Sequence, residues 1–351
     1  MPRSRIPQLS EPPPDPFRER WAPPHRARLE LLGARFGFEA DSPQLLKIVR
    51  AAYAGLPPQR FSRPGPQLQV RLALASDSGA PEGRVDGEPP RVRPLAGGGL
   101  LCGVMDTSTF VAITPRQQSA LVVASADMLR FPYHVRYEML EFAVYVLAAR
   151  AQGLVPLHAG CVGRDGDGVL LLGATGSGKT TLTLHCLLHG LEFLAEDSVL
   201  VRPAGLLATG VANFLHVRAD SLRFLDDGGR DLVRRATVIR RRSGVEKFEV
   251  DLRRPGYRLA PAPMRIRAAV FISPRSARAH PLLRPLSRRQ LLEQLAVTQK
   301  YAAQQPGWRA FTSGMARLPA FELRRGRHPT EAVQALEALL AGGSRGSRSR
   351  R

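Results

Sequence analysis

The residues Gly173-Ala174-Thr175-Gly176-Ser177-Gly178-Lys179-Thr180 fit the pattern GxxxxGK(S/T) completely. An apolar run, VLLL at 169–172, precedes them and a helix-like stretch follows, which is the context this pattern requires. Glycines let a backbone wrap closely around phosphate oxygens. Successive N–H groups and the helix N-terminus then face the anion. Lys179 would reach the β- and γ-phosphates and the Thr180 hydroxyl would meet Mg2+, with Thr181 completing the nucleotide-binding set. A Gly-rich turn that happens to open a helix is the bland alternative.

Glu196-Asp197 lies 17 and 18 residues after Lys179, between Phe193-Leu194-Ala195 and Val199-Leu200-Val201. That gap holds one helix and one turn, so this strand is expected beside the P-loop strand. Strict alternation would put the two acids on opposite faces. Both reach one site only if the strand bulges or ends there. One acid could then hold Mg2+ and the other act on an attacking hydroxyl. Two solvated acids at a loop edge are the alternative. No LSGGQ-like or NKxD sequence occurs, which counts against transport ATPases and GTPases.

The elements that must position these residues are legible from periodicity and breakers. Residues 1–25 contain eight prolines and read as a flexible arm. LELLGARFGFEA reads as a strand. Ser42-Pro43 reads as an N-cap and first helical position for a helix over 44–54, and 67–75 alternates as a strand. The Gly/Pro-rich stretch 76–99 reads as loop. Strands follow at 100–105, 109–113 and 120–124, then a helix over 133–152. LVPLHAGCV, the turn RDGDG and VLLL read as a hairpin leading into the P-loop. A helix over 178–189 comes next. Strands are expected at 247–252 and 266–273, and helices at 287–304 and 329–341. The expected organisation is an arm (1–25), a smaller α+β N-terminal domain (26–132), an α/β P-loop domain (133–341) and a basic disordered tail (342–351).

The 351 residues include 51 Lys+Arg against 30 Asp+Glu, a formal charge of +21. Only Lys47, Lys179, Lys247 and Lys300 are lysines. Such an Arg preference is better explained by genome base composition than by a binding surface. The charge still favours acidic partners, and nucleic acid stays open as one of them. Cys102, Cys161 and Cys186 are too scattered for a zinc site or disulfide framework. No apolar run is long enough to span a bilayer, so no membrane association and a cytoplasmic setting are expected. A homo-oligomer is left open.

The stretch LVPLHAGCVGRDGDGVLLLGATGSGKTTLTLHCLLHGLEFLAEDSVLV (154–201) resembles the catalytic core of HPr kinase/phosphorylase. More closely, it resembles the HPr-kinase-related kinases, some of them associated with maturation of ribosomally made peptides. That core is related to phosphoenolpyruvate carboxykinase, so the resemblance implies a carboxykinase-like fold for the P-loop domain. A looser resemblance continues to about 341 through LHVRADSLRFL, EKFEVDL, IRAAVFIS and LPAFELRRGRHPTEAV; residues 1–150 share none. The resemblance implies that His158 assists the catalytic acid/base, that Glu196 is the base and that Asp197 partners the metal with Thr180. The family pair is usually Asp-Asp, whereas this chain has Glu-Asp. The glycine-rich segment that follows the core in true HPr kinase/phosphorylases is not recognisable here.

Two further features stand beside these. Lys247 could supply a second cation near a transferred phosphoryl group, or be a solvent-exposed lysine at a strand start. Six arginines in 230–242 could bind an acidic substrate or form a mobile charged loop. The sequence therefore points to an ATP- and Mg2+-dependent kinase acting on a hydroxyl, Ser or Thr of a peptide or protein. Lys179, Glu196 and His158 would be its catalytic residues. A small-molecule P-loop kinase and a nucleotide-gated nucleic-acid-binding protein are the alternatives.

Overall fold

The computed structural model describes residues 23–75, 88–277 and 281–348, with backbone only from 343 onward. The chain is a mixed α/β protein containing a seven-stranded, a nine-stranded and a three-stranded sheet.

The first sheet is built from β1 (His25–Leu31), β2 (Ala34–Ala40), β3 (Gln67–Ala75), β4 (Arg93–Gly97), β5 (Leu100–Asp106), β6 (Thr109–Thr114) and β7 (Ser119–Ser125), in the order β1-β2-β3-β7-β6-β5-β4. The expected single strand LELLGARFGFEA is a hairpin instead. Leu32 and Gly33 both take positive φ, which a tight two-residue hairpin turn demands. Helix α1 (Pro43–Tyr53) starts as the sequence indicates, with the Ser42 side chain accepting from the Gln44 N–H. The stretch 76–99 is not wholly loop, because Arg93–Gly97 forms the edge strand β4. Residues 76–87 and most of the proline-rich arm lie outside the described residues.

A second helix covers 132–152. It opens as α2 (Pro132–His134), widens into a π-helical turn at Val135–Leu140 and continues as α3 (Glu141–Gln152). Its Val135, Met139, Ala143 and Leu147 pack into one core with Phe36, Phe38, Val70 and Val122 of the first sheet. The helix thus shares its core with the first sheet, and Leu200 and Val211 from further along the chain join the same cluster.

The second sheet contains β8 (Val155–Leu157), β9 (Gly160–Arg164), β10 (Asp167–Leu172), β11 (Glu192–Ala195), β12 (Val199–Arg202) and β13 (Leu207–Thr209). The three-stranded sheet is made of β14 (Phe214–Val217), β15 (Thr237–Arg240) and β16 (Glu246–Asp251), with β16 in the middle. β17 (Met264–Ser276), β18 (Leu283–Pro285) and β19 (Ala320–Arg325) complete the second sheet. β10 lies parallel to β17 and antiparallel to β9, and β17 is parallel to β19.

Helices cover both faces of this sheet, which is why β10 reads as an unbroken apolar run. Val169 and Leu171 pack with α4 (Lys179–Leu188) and α8 (Pro329–Arg348). Leu170 and Leu172 pack with α6 (Arg288–Thr298) and α7 (Trp308–Met315). Between α4 and α6 the short α5 (Asp227–Arg234) precedes β15. α8 runs on to Arg348, so the expected tail is helical over 342–348, while 349–351 lie outside the described residues. The helix expected over 287–304 ends at Thr298, and only a 3-10 turn follows at Ala302–Gln304. Among the described residues no helix is long and apolar enough to cross a membrane.

Two strands are interrupted where the sequence suggested continuity. The run expected as the first strand of the hairpin breaks at His158-Ala159. β8 pairs with β12, whereas β9 pairs with β10. The run 191–201 breaks at Glu196–Ser198, and β11 pairs with β9 rather than with the P-loop strand β10.

Helix 132–152 is one link between the first sheet and the rest of the chain, beside the bonds from Asn213 to the Ala52 carbonyl and from Gln59 to the Ala260 carbonyl. Met139→Ala is expected to cost about 2–5 kcal/mol in urea unfolding, as removal of a fully buried side chain does. A cost under about 1 kcal/mol would contradict this packing.

Candidate functional site

The loop 173–178 carries the chain from β10 into α4. Gly173, Gly176 and Gly178 take φ of +153°, +80° and +103°, values that side chains other than glycine resist. A Cβ on Gly173 would sit 2.7 Å from Ser177 Oγ and 3.1 Å from the Ile272 carbonyl. α4 has no side-chain cap, so its first-turn N–H groups stay directed into the loop at the positive end of the helix dipole. Ser177 Oγ is buried there without a hydrogen-bond partner. A cradle of glycines, free N–H groups and an unmatched hydroxyl fits a polyphosphate.

Lys179 is buried and turned onto its own loop. Its Nζ donates to the Gly173 carbonyl at 2.7 Å and the Ala174 carbonyl at 3.4 Å. Burial lowers its pKa below the ordinary lysine value, against the raising influence of Asp197 and Glu196. Nζ also lies 3.4 Å from His158 Nε2.

His158 sits in the break between β8 and β9. Its Nδ1 is 3.2 Å from the Asp197 carbonyl oxygen. A carbonyl only accepts and an ammonium only donates. One tautomer, protonated on Nδ1 and bare on Nε2, satisfies both neighbours. Buried Gln299 clamps the same residue: its Oε1 accepts from the His158 N–H at 2.8 Å and its Nε2 donates to the His158 carbonyl at 3.1 Å.

The break at Glu196–Ser198 separates the two acids. Glu196 is buried. Its Oε1 accepts from the Thr180 hydroxyl, and its Oε2 accepts from the His216 N–H at 3.0 Å. Asp197 is only half-buried and lines the cavity above the P-loop. The bulge or strand end that the sequence required is present as this break.

Behind Glu196 lies a buried charge network. His216 Nδ1 is 3.7 Å from Glu196 Oε2, and its Nε2 is 3.0 Å from Glu249 Oε1. Arg136, in the π-helical turn, forks onto Glu249 and lies 3.5 Å from Glu141. Asn213 Nδ2 donates to Glu141 at 3.3 Å. Burial opposes the charge on His216, but its two carboxylate partners prevail and hold its pKa above the ordinary value. Burial likewise opposes charge on Glu196 and Glu249, but hydrogen bonds from His216 to both, from Thr180 to Glu196 and from Arg136 to Glu249 hold both below the usual range.

The sequence reading did not single out His216, Glu249, Arg136 or Gln299. His216 alternates with buried Leu215 and Val217 on β14, and a polar residue inside an apolar strand was its only signal. Gln299 carries none, because its role depends on where α6 ends.

A cavity of about 510 Å³ opens over the loop, and Lys179, Thr180, His158, Asp197, Arg241 and Lys247 all line it. Thr181 meets it too, with its hydroxyl 2.8 Å from Ser221 Oγ. Lys247 is half-buried on β16 and faces the loop, not open solvent. The arginine run is anchored rather than a mobile loop. Arg240 ends β15, Arg241 lies 4.5 Å over the Tyr137 ring, and Arg242 Nε donates to Glu138 at 2.7 Å. A second pocket of about 230 Å³ flanks the loop on its other side, between Ser177, Phe224, Arg324 and His328.

Among the described residues no three His, Cys, Asp or Glu side chains form a metal cage. A Mg2+ held through phosphate oxygens needs none. With its proton committed to Glu196, the Thr180 hydroxyl presents only lone pairs outward, which suits a hard cation.

No protein-family model matches the chain, and no curated protein matches it. Among solved structures, it is similar to the Hpr(Ser) kinase/phosphatase from Coxiella burnetii at 13% identity, covering 55% of this chain and 98% of that one, with a TM-score of 0.27. That score is below the level of a shared fold, and the reading of the site rests on its own geometry.

The network makes a pH prediction. With a raised folded-state pKa, His216 contributes stability that is fully present below about pH 6.5 and lost as pH rises through the raised value. Glu196 and Glu249, both depressed, contribute stability present above the usual carboxylate range and lost as pH falls. Wild-type stability is therefore expected to decline from about pH 6.5 upward, and His216→Gln to remove that decline in urea titrations across pH. His216→Ala should cost about 3–5 kcal/mol, since it leaves buried carboxylates unpaired. An unchanged pH profile in His216→Gln would contradict the charged network.

Proposed function

We propose that this chain is an ATP-dependent kinase that transfers the γ-phosphate to a hydroxyl, Ser or Thr of a peptide or protein, on a carboxykinase-like P-loop core. The observation that carries the reading is the convergence of Lys179, Thr180, His158 and Asp197 on one cavity over a complete phosphate loop. In this proposal the catalytic domain runs from 155 onward and residues 25–154 form the N-terminal domain.

The triphosphate lies along the loop N–H groups from Gly173 to Thr181. The pocket beside Phe224 and His328 takes the nucleoside end. Lys179 leaves the Gly173 and Ala174 carbonyls for the β- and γ-phosphate oxygens, which are stronger acceptors than neutral carbonyls. Thr180 holds Mg2+, which neutralises phosphate charge when bound. Lys247 and Arg241 add positive charge to the same cavity.

The geometry supports an exchange of the roles that the sequence resemblance implied. Glu196 has both oxygens engaged and is buried behind Thr180, so it fixes the hydroxyl that meets the cation. Asp197 is the acid with access to the cavity, and it takes the proton of the attacking hydroxyl. The acceptor oxygen bonds to the γ-phosphorus, the bond to the β–γ bridging oxygen breaks, and ADP leaves. His158, held by Gln299 and the Asp197 carbonyl, borders both Lys179 and the attacking group and orients them.

Asp197→Asn is expected to lower phosphotransfer by about 10²–10⁴ with ATP affinity little changed. Glu196→Gln is expected instead to raise the Mg2+ concentration needed for ATP binding. The reverse pattern would restore Glu196 as the base. Lys179→Ala is expected to abolish ATP binding measured by calorimetry, and wild-type binding in that variant would overturn the nucleotide site itself.

A further inference from the structure

Three cavities meet at His158 and Asp197. One is the phosphate cavity already described. The second, about 850 Å³, runs between the β4–β5 edge, helix 132–152 and the floor at Glu196–Ser198. The third, about 340 Å³, lies between the far half of helix 132–152 and the C-terminal end of α6. The second and third share Phe142, Tyr145, His158, Asp197 and Ser198. Together they form a trough that passes over the proposed base and extends well beyond it.

The third cavity is apolar in a way that a small polar metabolite does not suit. Its walls include Phe142, Tyr145, Val146, Leu200, Pro156 and Tyr301. Of its amide and hydroxyl groups, Gln299 clamps His158, Thr298 Oγ1 donates to the Gln294 carbonyl and Gln305 Nε2 donates to the Tyr301 carbonyl. Phe142 is 38% exposed and Tyr301 58% exposed, so two aromatic rings stand open at its rim. A site for a sugar or hydroxy acid would need several converging free donors and acceptors instead.

Apart from Asp197, the charge around the trough is one-sided. Glu138 is tied to Arg242, Glu141 to Arg136 and Asn213, and Glu196 is enclosed. Arg150 and Lys300 line the apolar cavity and are exposed, and Arg241 lines the larger one; none of the three has an ion pair among the described residues.

We propose that the acceptor is a polypeptide segment lying along this trough, its Ser or Thr beside Asp197, a neighbouring large apolar side chain seated between Phe142 and Tyr301, and acidic residues facing Arg150 and Lys300. This deepens the kinase reading and rests on it. The apolar side chain anchors the segment and the cations select its charge, while His158 and Asp197 address only the hydroxyl. A Ser flanked by glycines leaves the apolar cavity unfilled.

The test uses the full chain with two fluorescein-labelled acidic peptides, identical except that Phe or Gly neighbours the Ser. Binding is read by anisotropy and phosphorylation by transfer from labelled ATP. The Phe peptide is expected to bind and react roughly 10- to 100-fold better, the span that filling an apolar pocket provides. Phe142→Ala and Tyr301→Ala should shrink that ratio toward one, and Lys300→Glu should weaken both peptides alike. ATP affinity, measured on the same samples, reports the nucleotide site separately. Equal binding and turnover of the two peptides with ATP bound would overturn the trough and leave the kinase reading standing. Loss of ATP binding in the wild type would sink the kinase reading, and the anisotropy comparison would still decide whether the trough prefers the Phe peptide.

Discussion

A carboxylate withdrawn from water must have its oxygens matched by donors, and Glu196 meets that demand in a way that organises its surroundings. One oxygen takes the Thr180 hydroxyl and the other takes the His216 N–H. The first bond ties the P-loop helix to the break between β11 and β12. The second ties that break to the three-stranded sheet. Through Glu249 the same charge balance extends to Arg136, on the helix that packs against the first sheet. Any shift of Thr180 toward a cation must be accommodated along this chain of contacts. The proposed nucleotide site and the wall of the proposed acceptor trough are therefore joined by direct contacts.

The break that buries Glu196 also releases Asp197. In an uninterrupted strand the two side chains would face opposite sides of the sheet. Here one carboxylate holds a hydroxyl from beneath and the next borders open space above the loop. Lys179 lies on the same loop. Its ammonium satisfies itself on two loop carbonyls and an imidazole nitrogen. These neutral partners are exchangeable for phosphate oxygens at little structural cost.

Local chemistry is what the sequence exposes best. Glycines at required φ values, the Ser42 cap, the alternation of 67–75 and the buried run of β10 are all decided by neighbours within a few residues. The glycine-rich loop proposed to cradle phosphate belongs to this class, and so does the acidic pair. What escaped was decided by contacts between distant segments. His216 and Glu249 come together only because β14 and β16 pair. Gln299 reaches His158 across 141 residues of chain. The helix at 132–152 is legible from its apolar residues, but they cannot say which sheet it covers. The same limit explains the reading of Arg241 and Arg242 as a charged loop, since Tyr137 and Glu138, which hold them, lie about a hundred positions earlier.

The most direct test of the account is a structure of the chain with a non-hydrolysable ATP analogue and Mg2+. The expected result places the β- and γ-phosphates over residues 173–181, with Lys179 Nζ moved from the Gly173 carbonyl to phosphate oxygen, the Thr180 hydroxyl on the cation and still bonded to Glu196, and Asp197 facing the γ-phosphate. An analogue that leaves Lys179 on the Gly173 carbonyl, or that brings Glu196 rather than Asp197 to the γ-phosphate, would contradict it.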